Sequence, residues 1–378
     1  MLFIPHKHLY ISGTSYVSAD EPDYKEVITD ANSRRRMGRL LKMAVWCGLK
    51  SLDGVPSERV AGIITSTGAG FMKDTISFGS SIFDREETLL NPSPFMQSTF
   101  NTASGYIALI RKIHAYNTTY VQQADGFAAS LVDAAMLLDD AGEGNVALVG
   151  AFDEVTPEVD VIRQRLGLYR VGPKEAADSG FLPLGEGAAA FLLSAAMPTD
   201  VSESCRATEM SAGPGGDDGS ESDSGRGGDE AGSESASEGG GDANSEYSTG
   251  PLRESESASE HGGESGSESS SEPLHESGET SSRSLNVTKD SNAALRFCGL
   301  ANLSDLPKCA ENPIAELFGI NAGVNVISCA DHVESLGAFR SMLPVLICKL
   351  ISEQKILDGY TAIMDDVNED GVIILLHK

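Results

Sequence analysis

Cysteine is scarce along most of this chain. The 378 residues hold six cysteines, and none falls between Cys47 and Cys205. None forms a Cys-x-x-Cys pair, and none is spaced with a histidine as metal ligands are. A disulfide framework and a zinc site are therefore not expected, and a reducing, cytoplasmic setting is the default. Basic residues are also few: 28 Lys and Arg against 56 Asp and Glu give a formal net charge of −28. That balance argues against nucleic-acid binding. No apolar run approaches the length of a membrane span. The opening Met1–Gly13 stretch is too short and too polar to read as a signal peptide. His6, His8, His114 and His377 have no metal-ligand spacing beyond one i, i+2 pair, so neither a metal nor a cofactor is expected.

The charge is unevenly spread. Residues 201–290 carry about 21 acids and 5 bases, and Ser-Glu-Ser-Ala-Ser-Glu occurs at both 233–238 and 255–260. Leu252, Leu274 and Tyr247 are nearly the only large apolar side chains between Ser211 and Ser284. Too little apolar surface is available there to offset the entropy of ordering the chain, so disorder is expected. Three regions follow: 1–198, an acidic Ser/Gly/Glu-rich insertion at 199–291, and a short 292–378. The insertion reads as a solvated loop, with a phosphorylatable or cation-binding tail as the sharper alternative.

Outside it, strand and helix alternate. Ser33 to Leu52 reads as one amphipathic helix, Val60–Ser66 as a strand and Ala103–His114 as a helix. In the last region Val324–Ser328 reads as a strand. Asp331 and Glu334 read as the N-cap and N3 of a helix running through Leu350. Tyr360–Met364 and Gly371–Leu376 read as a strand hairpin. Alternation of this kind implies crossovers and a mostly parallel sheet with both faces covered.

One unit stands out, from Tyr116 to Glu154. Thr118–Val121 reads as a strand. Phe127, Leu131, Ala134, Ala135 and Leu138 recur at helical spacing, and Val146–Val149 is a doubly buried strand. The connection at 122–126 sets side chains at a helix N-terminus, where the dipole and free N–H groups favour negative charge. An enzyme would place a cysteine there, its thiolate stabilised by that dipole. Here the positions hold Gln122, Gln123, Ala124 and Asp125.

Four segments resemble the β-ketoacyl synthase family of thiolase-like fold. They are Arg-Arg-Met-Gly-Arg at 35–39, the strand and Gly-rich turn at 60–70, Asn-Pro-Ser-Pro-Phe-Met-Gln-Ser-Thr-Phe-Asn-Thr at 91–102, and Gly-Glu-Gly-Ala within 180–193. The branch most similar is the chain-length-factor-like, aryl-polyene and type II polyketide one. The resemblance implies an α/β, layered αβαβα fold with an abbreviated second half. It aligns Ala124 under the family's nucleophilic cysteine, beside Gln123. Gln123 would lend hydrogen bonds to a thioester enolate; alternatively the segment simply turns the chain, with Asp125 as a cap.

His332, in Asp-His-Val-Glu-Ser-Leu-Gly-Ala-Phe, resembles one of the family's two active-site histidines, without the lysine the family places before it. The alternative is a partly exposed histidine beside a cap. Cys298 aligns with the other histidine, or is a small buried hydrophobe. Residues 365–371 replace the family's Gly-Phe-Gly-Gly-x-Asn loop. Asp133 and Glu186 read as structural. Arg34, Arg35, Arg36, Arg39 and Lys42 form a basic cluster, a solvated helix face or a docking site for an acidic carrier protein.

The implied function is a non-condensing subunit in fatty-acid-like or polyketide/aryl-polyene synthesis. It would pair with an active ketosynthase through Thr118–Val121 and with acyl carrier protein. The alternative is an acyltransferase or malonyl-carrier decarboxylase working without cysteine, through Gln123 and His332. Degenerate chemistry with an interacting acidic tail is a third reading.

Overall fold

The computed structural model describes residues 2–121, 125–142, 144–167, 185–197, 294–367 and 371–378. All belong to the unit formed by residues 1–212 and 281–378. Gln122, Gln123 and Ala124 lie outside the described residues, and so does the 199–291 insertion.

The first half contains β2 (Leu9–Val17), α1 (Ala31–Arg36), α2 (Arg39–Ser51), β3 (Val60–Ser66), α3 (Met72–Asp84), α4 (Pro92–Gln97) and α5 (Thr102–Arg111). It continues through β4 (Tyr116–Tyr120), α6 (Asp125–Asp140), β5 (Val146–Asp153), α7 (Pro157–Leu166) and β6 (Gly187–Ser194). The second half holds β7 (Arg296–Asn302), α8 (Pro313–Phe318), β8 (Val324–Ser328), α9 (Val333–Leu336), α10 (Met342–Ser352), β9 (Tyr360–Met364) and β10 (Val372–His377). A short β1 (Leu2–Phe3) pairs with β7.

The strands form one sheet in the order β4-β3-β5-β6-β2-β7-β10-β9-β8. The expectation of a mostly parallel sheet needs correction, because the sheet is mixed. Pairing is parallel where a helix carries the chain over, at β3–β4, β3–β5 and β8–β9, and antiparallel elsewhere. Residues 365–371, which link β9 to β10, are too few for the crossover that a parallel pair needs. In each half the last strand inserts between the first strand and the helix-connected ones, so it runs against both.

The two halves repeat each other. The series β2-β6-β5-β3 pairs antiparallel, antiparallel, parallel, and so does β7-β10-β9-β8. Among the described residues no strand beyond β8 answers to β4, so the second half is one strand shorter.

Alternation of side chains sorts the core into layers. Ile63, Leu148 and Leu192 face α2 and α5, with Leu41, Val45 and Ile107. Ile64, Val149 and Phe191 face inward, into one cluster with Leu131 and Leu138 of α6 and Leu343 and Leu346 of α10. That cluster also takes Ile363, Ile374 and Leu376 from the second half. Ile373 and Leu375 point the other way, onto Ile314 and Phe318 of α8. The succession is helix, strand, helix, strand, helix, as expected of a thiolase-like fold.

Two helices differ from expectation. The helix expected from Ser33 to Leu52 is broken at Met37–Gly38, where both residues are extended. The Gln97 side chain stabilises the break: its amide donates to the Arg36 carbonyl, and its oxygen accepts from Gly38 N–H at 2.9 Å. The helix expected from Asp331 to Leu350 is likewise two, interrupted at Gly337 with φ of 74°. Asp331 caps no long helix, and Ser341 precedes α10 instead.

Candidate functional site

The elbow between β4 and α6 is built on the end of β3. Tyr120 lies opposite Ser66 in the parallel pair. Thr67 N–H donates to the Tyr120 carbonyl at 3.0 Å. Hydroxyls of Thr65 and Thr119 bond across the strands at 2.8 Å. The first turn of α6 approaches so closely that a Cβ on Gly126 would meet Ser66 Cβ at 3.3 Å. Ser130 Oγ closes that turn onto the Gly126 carbonyl at 2.8 Å, and the Phe127 ring packs on Phe191 with centroids 5.5 Å apart.

Beside the elbow lies a buried carboxylate that sequence reasoning missed. Asp153 ends β5 and has no exposed surface. Its Oδ1 accepts from Thr67 Oγ1 at 3.1 Å, Gly68 N–H at 2.9 Å and Ala69 N–H at 3.2 Å. Its Oδ2 accepts from Ser341 Oγ at 2.6 Å. One side chain thus ties the Gly-rich turn of the first half to the start of α10 in the second. The sequence did hold a signal: an acidic residue continues a strand buried at every position, and burial of a charge demands such partners.

The next residue, Glu154, accepts from Lys73 N–H at the start of α3, 3.0 Å away. Burial, the nearby acids Asp74 and Glu186 adding to it, raises its pKa above the usual carboxylate range. Glu186 accepts from Val155 N–H at 3.2 Å and pairs with Arg39, which also pairs with Glu21. Arg39 is thereby neutralised and drops out of the basic cluster. Of the rest of that cluster, Arg34, Arg35 and Lys42 line a cleft of about 250 Å³ together with Lys25, Pro22, Asp23 and Tyr24, and Arg36 is not part of its lining.

The other candidates lie apart from this hub. His332 sits in the short turn before α9 and is half-buried. Burial, helped by Lys349, lowers its pKa, so the neutral imidazole is favoured. Cys298 packs with the α8 layer, on the sheet face opposite α6 and α10, and burial raises its thiol pKa. Cys47, Cys329 and Cys348 are buried, and burial pushes each thiol up. None of these three offers a thiolate at neutral pH.

On the outer flank of the elbow, the Tyr116 and Tyr120 hydroxyls both donate to Asp133 Oδ2, at 3.0 and 3.1 Å. Tyr120 is pushed up to about 12 by burial and then by the Asp133 charge. A raised phenol pKa means stability fully present below pH ~10, the unfolded value, and lost as pH rises through the folded value. Spectrophotometric titration of Asp133→Asn should show Tyr120 ionising at lower pH than in the parent; an unchanged titration would contradict the assigned cause.

No curated protein sequence matches the chain significantly. The profile of the β-ketoacyl synthase N-terminal domain matches residues 14–165. Among solved structures, the ishigamide ketosynthase/chain length factor aligns with a TM-score of 0.54 at 12% identity, over 98% of this chain and 99% of that one. The type II polyketide synthase complex AntDE:AntF, a ketosynthase with its acyl-carrier protein, aligns with a TM-score of 0.54 at 13% identity, over the same shares. At such identity the structures speak for the fold alone: the chain has the thiolase-like fold of these ketosynthase and chain length factor structures, and its residues 14–165 match the β-ketoacyl synthase N-terminal domain.

Proposed function

We propose that this chain is a non-condensing ketosynthase-like subunit of chain-length-factor type. It acts in fatty-acid-like or polyketide/aryl-polyene synthesis, paired with an active ketosynthase and visited by acyl carrier protein. The observation that carries the reading is the elbow: the strand, helix and strand around it are kept, while residues 122–126 contain no nucleophile. The buried cysteines of the core are too poorly ionised to replace one.

Two surfaces support the partners. The outer edge of β4 has no neighbour among the described residues. It is flanked by exposed Leu109, Ile110, Tyr116, Val121 and Met136. An open edge beside apolar side chains suits a second subunit of the same fold. The cleft of Lys25, Arg34, Arg35 and Lys42 suits an acidic carrier, on a chain that is otherwise strongly acidic.

The test is co-expression with a cysteine-containing ketosynthase and its carrier protein, read by native mass spectrometry and a malonyl-carrier decarboxylation assay. A heterodimer is expected, weakened by Met136→Asp, with no turnover by this chain alone. Turnover by the isolated chain that Gln123→Ala abolishes would replace the reading with a cysteine-free decarboxylase.

A further inference from the structure

A row of polar and aromatic side chains crosses the second half of the sheet. Tyr10 of β2 lies opposite Arg296 of β7, Arg296 opposite His377 of β10, and His377 opposite Tyr360 of β9. Residues directly opposite on adjacent strands share a face, and neighbouring strands lie about 4.8 Å apart, so the row spans roughly 14 Å. The face is the outer one. Tyr360 packs with the α8 layer, whereas Leu9, Phe297 and Leu376, each next to a member of the row, belong to the inner core. The first half covers its outer face with α2 and α5, 13 and 10 residues long, but α8 has only six. It packs on Ile373 and Leu375. His377, two residues further along β10, is half-buried, and so are Tyr10, Arg296 and Tyr360.

The polar groups of the row are matched to an anion rather than to one another. Arg296 Nη2 donates to His377 Nδ1 at 3.1 Å. A guanidinium has five N–H donors and no acceptor, and among the described residues Arg296 has no carboxylate partner. A half-buried cation thus meets a histidine instead of an acid, in a chain with 56 Asp and Glu against 28 Lys and Arg. Because arginine only donates, His377 Nδ1 is the acceptor, and the neutral ring carries its proton on Nε2 as a second donor. Burial and then the Arg296 charge lower the His377 pKa, which keeps the ring neutral. The pair therefore carries a single positive charge. Rings supply the flanks. Tyr360 meets His377 edge to face with centroids 4.5 Å apart, and at the other end the His8 and Tyr10 rings lie 6.3 Å apart. Lys378, the next residue of the chain, is engaged elsewhere: its Nζ pairs with Asp358 at 3.6 Å and donates to the Ile356 carbonyl at 3.5 Å.

We infer that this row binds a small aromatic carboxylate, its carboxylate taken by Arg296 and its ring laid against the His377–Tyr360 pair. The planar guanidinium fork matches a carboxylate bidentately, and the protein rings offer edges and faces to a flat apolar body. One guanidinium beside a neutral imidazole balances one negative charge. A doubly charged phosphate monoester or a nucleic acid brings more than that to a protein of net charge −28. The row uses neither the elbow, nor the β4 edge, nor the basic cleft, so its test is independent of the proposed subunit role.

The test follows the histidine Cε1–H resonances of the full chain by NMR, with His377 assigned through His377→Gln. Sodium benzoate should shift the His377 resonance saturably, with a Kd of about 1 mM or below. A bound carboxylate offsets the Arg296 charge, so the His377 pKa should rise on saturation. Acetate keeps the charge but lacks the ring, and should bind roughly three- to tenfold less tightly. Inorganic phosphate should also bind less tightly than benzoate. Arg296→Gln should weaken benzoate binding by about tenfold or more, the loss of one charge-assisted contact. Tyr360→Leu should bring benzoate down toward acetate and leave acetate unchanged; this second variant decides the matter if circular dichroism shows that Arg296→Gln perturbs the fold. The absence of a saturable His377 shift with benzoate would overturn the inference. So would benzoate binding that a folded Arg296→Gln variant retains in full. Acetate or phosphate binding as tightly as benzoate would overturn the assignment of an aromatic carboxylate.

Discussion

Replacing Asp153 with alanine is expected to cost about 3–5 kcal/mol of folding stability, the range seen when one partner of a buried polar network is removed. Four donors converge on this carboxylate: Thr67 Oγ1, Gly68 N–H, Ala69 N–H and Ser341 Oγ. Asp153 itself has no contact with water, so solvent does not readily restore the lost acceptor. Folded domains are stable by only about 5–15 kcal/mol, so this one truncation would remove a large share. Chemical denaturation measures it. Asp153→Asn keeps one acceptor oxygen but turns an amide NH2 toward other donors, and should fall between parent and alanine variant. Ser341→Ala removes a single bond and should cost about 1–2 kcal/mol. A double-mutant cycle should return a coupling between Asp153 and Ser341, because they share the bond. An Asp153→Ala midpoint indistinguishable from the parent would refute the hub.

How much of this is legible in the sequence follows from the range of each interaction. Local patterns set the elements. Val146–Val149 reads as a doubly buried strand because its neighbours in sequence are all apolar, and β5 is buried throughout. The hairpin at 360–376 reads from its turn chemistry, and the pair is antiparallel as that chemistry requires. The break at Met37–Gly38 is not legible, since it depends on Gln97, about 60 residues away in the chain, reaching both Arg36 and Gly38. The direction of the strands escapes for a similar reason: alternation reports which segments cross over, but not where the last strand of each half inserts. The strand and helix that flank residues 122–124 are legible from their apolar spacing, and both are found, as β4 and α6. The Asp153 hub is not legible, because three of its four donors are a backbone turn and a serine from two other regions of the chain. Asp133 reads as structural, and its link to Tyr116 and Tyr120 cannot be seen without knowing that β4 and α6 lie face to face.

The second large effect is expected at Gly185, which opens the Gly-Glu-Gly-Ala run. This segment is a junction between the halves. Gly185 N–H donates to the Ala338 carbonyl at 3.2 Å. A Cβ at Gly185 would stand 2.1 Å from the Leu336 carbonyl oxygen, and 2.8 Å from both Gly337 C and Phe339 Cδ1. The first two are backbone atoms, in a segment held by its own hydrogen bonds: Gly337 N–H donates to the Val333 carbonyl at 2.7 Å, and the Phe339 carbonyl accepts from Met342 N–H at 3.1 Å. Phe339 is fully buried, so its ring has nowhere to retreat. Gly185→Ala should therefore cost at least about 3 kcal/mol, the upper range for overpacking, and Gly185→Val should prevent folding of the unit.

The effect should be local to the steric contact rather than a general cost of losing glycine. Gly105, in the middle of α5, would carry a Cβ with nothing within 4 Å. Gly105→Ala should be neutral or stabilising by up to about 1 kcal/mol, the helix preference of alanine over glycine. The two variants, compared by thermal and chemical denaturation, separate the explanations. If Gly185→Ala and Gly105→Ala shift stability alike, the close approach of the two halves at the Gly-Glu-Gly-Ala run is wrong. If only Gly185→Ala collapses, the run serves as the seam that brings Glu186 to Arg39 and Val155 on one side, and sets the start of α10 against Asp153 on the other.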